Sequence, residues 1–65
     1  MNITVNGEER QFGKTTVAEL LEELRVMPAG VAVEVNLNIV KKAKYGDYQL
    51  ADGDVVEIVN FVGGG

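Results

Sequence analysis

The residues of this sequence best suited to chemistry are its last three, Gly63, Gly64 and Gly65. Glycine has no Cβ, so three in a row form a thin thread that enters channels where larger side chains clash. The α-carboxylate of Gly65 is the working group such a thread would carry. A carboxylate is resonance-stabilised and a poor electrophile, so acyl chemistry on it needs a better leaving group than oxide. Attack on the α-phosphate of magnesium-bound ATP supplies one as an acyl adenylate, with metal and cationic groups of a partner enzyme offsetting the charge of the transition state. A sulfur nucleophile then displaces AMP and leaves a thiocarboxylate held by the main chain. The competing reading is a glycine tail that simply frays, as termini commonly do.

Other kinds of site are poorly supplied. No cysteine and no histidine occurs in the 65 residues. Disulfides, thiolate nucleophiles, the usual zinc ligands and the side chain that titrates near neutral pH are therefore missing. No metal site and no bound cofactor is expected; MgATP would belong to the activating partner. Asp52 and Asp54 could in principle do acid–base work or hold a cation, but Asp52-Gly53-Asp54 is first of all a turn signal. Lys41, Lys42 and Lys44 form a short basic run with only Tyr45 as an aromatic neighbour, which reads as a solvated loop. The net charge of −4 repels the phosphates of nucleic acid.

Apolar runs are only a few residues long, far short of a membrane span, and Met1 leads into a strand pattern and not a basic-then-apolar leader. A cytoplasmic protein is expected. A chain of this length buries only about 60% of the surface its unfolded form exposes. An enzyme-like private cavity of at least ~300 Å³ would be hard to accommodate beside the core. A carrier or binding module fits better than an enzyme.

The elements that must position the tail follow from periodicity. Ile3 and Val5 alternate with Asn2, Thr4 and Asn6, predicting a half-buried strand. Asn6-Gly7 tolerates the positive φ values of a type I′ turn, so Glu8 to Phe12 should return as a second strand, ended by Gly13. Thr16-Val17-Ala18-Glu19 fits a capping box, and Val17, Leu20, Leu21 and Leu24 make an apolar stripe from which Glu19, Glu22 and Glu23 are excluded. A helix of some ten residues is predicted, ended by Pro28 and Gly30, and held by laying its stripe on a sheet.

Val31, Val33 and Val35 predict a central strand. Ile39-Val40 suggests a short one, and Lys41 to Gln49 reads as a loop containing Tyr45, Gly46 and Tyr48. After the turn at Asp52-Gly53-Asp54, Val55 to Val62 is the longest β-prone run. In that last strand Val56 and Ile58 share the core face, while Val55, Glu57, Val59 and Phe61 share the other. Val59 and Phe61, with Gly63 beyond them, are the candidate docking residues for a partner that must take in the tail. A curl or bulge that turned Phe61 into the core would undo that assignment.

The fold class is thus α+β: a mixed sheet, one main helix on one face, and a second face open to solvent or a partner. We take 1–62 as the folded domain and 63–65 as a flexible glycine tail. No internal repeat is present.

Several segments together carry a family likeness: the Asn6-Gly7 hairpin, the Thr16 to Leu21 helix start, Leu50 to Ile58, and Asn60 through Gly65. On these the chain resembles the ThiS family of sulfur carriers of thiamine biosynthesis, over its whole length. The resemblance implies a ubiquitin-like β-grasp fold. It further implies that an E1-like enzyme adenylates Gly65 and that a cysteine desulfurase or related persulfide donor delivers sulfur. The thiocarboxylate would then serve thiazole synthase, with Gly64 giving the slim approach. Two other readings stand beside it. One is a MoaD-like carrier serving molybdopterin or another metabolite; the other is a non-catalytic β-grasp interaction module with an idle tail.

Overall fold

The computed structural model describes residues 1–60. Asn6 and Gly7 adopt φ of 49° and 84°, the two positive values a type I′ turn requires. They join β1 (Asn2–Val5) to β2 (Glu8–Gln11) in an antiparallel hairpin that pairs Val5 with Glu8 and Asn2 with Gln11. Phe12 follows β2 directly and is buried in the core, so the return strand stops one residue before the expected end.

Thr16 caps helix α1 (Val17–Glu23) as the sequence predicts, its hydroxyl accepting from the N–H of Glu19 at 3.2 Å. The helix's opening N–H groups are each satisfied differently. Val17 donates to the carbonyl of Tyr48 at 3.0 Å and Ala18 to that of Tyr45 at 2.9 Å. The segment after β4, expected to be a plain loop, therefore finishes the helix cap. It contains a 3₁₀ turn at Lys42–Lys44 and buries Tyr45 and Leu50 in the core. The Tyr45 hydroxyl donates to the carbonyl of Val31 at 3.3 Å, and burial raises its pKa above the ordinary tyrosine value because desolvation disfavours the phenolate. Lys41, Lys42 and Lys44 are all exposed, in keeping with a solvated basic run.

The helix is shorter than expected. It ends where Arg25 turns into the left-handed region at φ 60°. Val26 donates to the carbonyl of Leu21 at 2.9 Å and Arg25 to that of Glu22 at 3.0 Å, the two bonds of a Schellman ending. Pro28–Gly30 forms a separate 3₁₀ turn, leading into the next strand rather than terminating the helix.

Strands β3 (Val31–Val35), β4 (Asn38–Val40) and β5 (Val55–Asn60) complete the sheet. Its order is β2-β1-β5-β3-β4, with β1 parallel to β5 and the other pairs antiparallel. β3 is an interior strand, but the middle place belongs to β5. Val17, Leu20 and Leu21 are completely buried against Val33, Val35 and Val56, and Leu24 is packed at the edge of this core. The stripe of α1 thus covers one face of the sheet, as its spacing demands. Among the described residues no helix is long and apolar enough to cross a membrane.

Candidate functional site

β5 is the last of the described strands, and the glycine run follows it in the sequence. Three neighbours hold the strand. β3 pairs with it over five consecutive positions, from Val31↔Asn60 to Val35↔Val56, and β1 pairs through Thr4↔Val55 and Val5↔Val56. Where β1 turns away, the carboxamide of Asn6 takes over the ladder. Its Oδ1 accepts from the N–H of Ile58 at 2.7 Å, and its Nδ2 donates to the Ile58 carbonyl at 3.2 Å. Asn6 therefore has two tasks, supplying the positive φ of the hairpin turn and standing in for a missing strand residue. Only the first is visible in the sequence, because the second depends on a contact 52 residues away.

The unbroken register of β5 with β3 leaves no bulge between Val56 and Asn60. The strand parity expected from the sequence accordingly holds along the strand: Val56 is buried and Ile58 partly buried, while Val55, Glu57 and Val59 are exposed. Val59 is 57% exposed and lies across from Ala32 on β3, on the face opposite the helix. Phe61, Gly63, Gly64 and Gly65 lie outside the described residues.

Three residues on this outer face were not singled out from the sequence. Ala32 and Glu34 project from β3, and Ile39, 74% exposed, projects from β4 opposite Glu34. The alternation of β3 with β4 could have revealed them, had the short β4 been paired with confidence. The result is an open face with apolar Val55, Val59, Ala32 and Ile39 set around the acidic pair Glu34 and Glu57. No helix covers it. A hollow of about 410 Å³ at its far end is lined by Asn36, Leu37, Val55 and Glu57. A larger hollow of about 530 Å³ runs along α1 by Ala18, Glu22 and Met27, on the other side of the sheet and away from this face.

The Asp52-Gly53-Asp54 turn is occupied by structure. Asp52 Oδ1 accepts from the N–H of Asn2 at 2.6 Å, and Asp54 accepts from Asn36 Nδ2 at 3.0 Å and from the N–H of Ala51 at 2.8 Å. These carboxylates lock the entrance of β5 to β1 and to the β3–β4 turn. Among the described residues no group of three or more His, Cys, Asp or Glu is placed to hold a metal ion.

Comparison with known proteins agrees with this geometry. The family model described as the ThiS family matches residues 3–65. A sulfur carrier protein ThiS of Bacillus subtilis is 38% identical, over 97% of this chain and 98% of its own length. A thiazole synthase of Paramagnetospirillum magneticum is 52% identical over the whole of this chain, which spans only 20% of that protein's length. The crystal structure of thiamine biosynthesis protein ThiS from Geobacter metallireducens superposes with a TM-score of 0.85 at 36% identity, covering 100% of both chains. The sheet order, the single helix and the match that runs through the glycine tail therefore have one reading, that the chain belongs to the ThiS family, the β-grasp sulfur carriers of thiamine biosynthesis.

Proposed function

We propose that the chain carries sulfur as a thiocarboxylate on Gly65 and hands it to a thiazole synthase. The observation that supports this most is the family match through residue 65, which includes the glycine run that follows β5 in the sequence. In the proposed cycle an E1-like enzyme binds MgATP. A carboxylate oxygen of Gly65 bonds to the α-phosphorus, and pyrophosphate leaves. The terminal sulfur of a protein persulfide, charged by a donor such as a cysteine desulfurase, then attacks the acyl carbon, and the C–O bond to AMP breaks to give an acyl disulfide. A partner thiol reduces its S–S bond while being oxidised to a disulfide, and the thiocarboxylate remains. The chain is a co-substrate in this cycle and its partners are the enzymes, acting in the cytoplasm.

The outer face beside the tail is the docking surface in this reading. Val59, with Phe61 and Gly63 beyond it, provides contact near the point where the tail enters the partner. The thiazole synthase of Paramagnetospirillum magneticum contains a segment similar to this whole chain, and a carrier joined to its synthase meets it at high effective concentration. A carrier that is a separate molecule has no such tether and depends on surface contact for its affinity.

Variants at the terminus test the chemistry. Gly65→Ala, or one residue added after Gly65, is expected to leave the unfolding midpoint unchanged and to abolish or severely slow sulfur loading by the activating enzyme. Thiocarboxylate formation at the normal rate in both variants would contradict the mechanism.

A further inference from the structure

The end of the outer face farthest from the tail keeps two features that work against the stability of the fold. Asn36 and Leu37 are the central residues of the β3–β4 hairpin, with φ of 52° and 72°. This is again a type I′ turn, whose second position is suited to glycine and strained for a residue with a branched side chain. Here it holds a leucine that is 88% exposed. The turn thus accepts backbone strain in order to place a large apolar side chain in water.

The second feature is electrostatic. Glu34 and Glu57 stand directly opposite each other on β3 and β5, where like charges destabilise a strand pair. The other cross-strand neighbour of Glu34 is Ile39. Along their own strands the residues sharing this face are Ala32 and Asn36, Val55 and Val59, so none of these flanking positions supplies a cation. The hollow between Leu37, Val55 and Glu57 places the strained leucine beside Glu57, and Glu34 stands across the strand pair from that glutamate. The centre of this patch is anionic, its rim is apolar through Ile39 and Val55, and the whole chain carries a net charge of −4.

A surface of this kind is completed by a cation set among apolar side chains. We infer that this patch is a second docking contact for the thiazole synthase, separate from the tail. The synthase would offer an apolar socket for Leu37 and a lysine or arginine between Glu34 and Glu57. The inference rests on the sulfur-carrier reading and names what its docking surface recognises. β5 rises about 3.3 Å per residue, so Val55 lies roughly 13 Å from Val59, and the two contacts would hold the carrier at both ends of its face. That fixes its orientation while the tail is inserted.

Calorimetric titration of the full-length chain with the thiazole synthase of the same organism tests this, using Leu37→Gly and Glu57→Lys. Leu37→Gly removes both the strain and the side chain, and Glu57→Lys replaces a like-charge pair by an opposite-charge pair. Both variants are expected to unfold at higher urea concentration than the wild type and yet to bind the synthase at least tenfold more weakly. Wild-type binding is also expected to weaken with added salt, and Glu57→Lys binding to have lost most of that dependence. Raised stability with unchanged affinity in both variants would overturn the proposal. Weakened binding to the activating enzyme alone, or weakened self-association alone, would also overturn it by assigning the patch to another occupant. Sulfur loading of the wild type is measured in parallel, so normal loading without the predicted binding pattern refutes only the contact, whereas absent loading refutes the carrier reading beneath it.

Discussion

The carboxylate of Glu19 links one residue to the pH response of the fold. It accepts from the backbone N–H groups of Thr16 and Thr15, each at 3.0 Å, and these bonds hold its pKa below the ordinary value of 4.5. A pKa lowered in the folded state stabilises the protein above the unfolded value, and that contribution is lost as pH falls through the folded one. Glu19→Gln is therefore expected to be less stable than the wild type at neutral pH, with the gap closing as pH falls below 4.5. Urea unfolding at several pH values checks this, and a gap that stays constant into acid would contradict it. Arg25 offers a second case. With φ at 60° it occupies a place that glycine fills without strain, so Arg25→Gly should stabilise the fold by up to about 1 kcal/mol. A lower urea midpoint in that variant would contradict the assignment of strain. The turn at Asn6-Gly7 was legible because both residue types tolerate positive φ. The helix end at Arg25 and the turn at Leu37 were not, because neither residue type signals that conformation and only the surrounding structure imposes it.

At the scale of elements, α1 is held by its apolar stripe and by the cap, since a helix of seven residues is too short to persist alone. Leu20 is completely buried, and Leu20→Ala is expected to lower stability by about 2–5 kcal/mol. A change near zero on denaturant unfolding would mean that the stripe does not carry the core. Strand parity in β5 was readable because Val56 to Asn60 pairs without interruption with β3, so that period two survives into the folded state. The 41–49 segment was harder to read. Its contribution is made by the carbonyls of Tyr45 and Tyr48, which accept from the helix N-terminus, and main-chain acceptors have no residue-type signature. The Asn6 clamp on Ile58 was hidden for a similar reason, being a contact between the two ends of the described chain.

The order β2-β1-β5-β3-β4 puts β5 in the middle of the sheet, gripped from both sides, with the helix on one face and, among the described residues, no element on the other. Such an arrangement suits a carrier. In the proposed cycle the folded part would serve as a handle, the open face as a docking surface, and the end of the chain as the place of the chemistry. The sequence points to this reading because a chain without cysteine or histidine has few other groups to offer and its glycine run stands apart from every apolar pattern. The composition of the outer face, with its opposed glutamates and exposed Leu37, emerged only from strand pairing. The most direct test is the intact mass of the chain after incubation with its activating enzyme, MgATP and a sulfur donor, followed by fragmentation. The account predicts a shift equal to the replacement of one oxygen by sulfur, localised to Gly63-Gly64-Gly65. An unchanged mass in the presence of a demonstrably active enzyme, or sulfur found elsewhere in the chain, would contradict it.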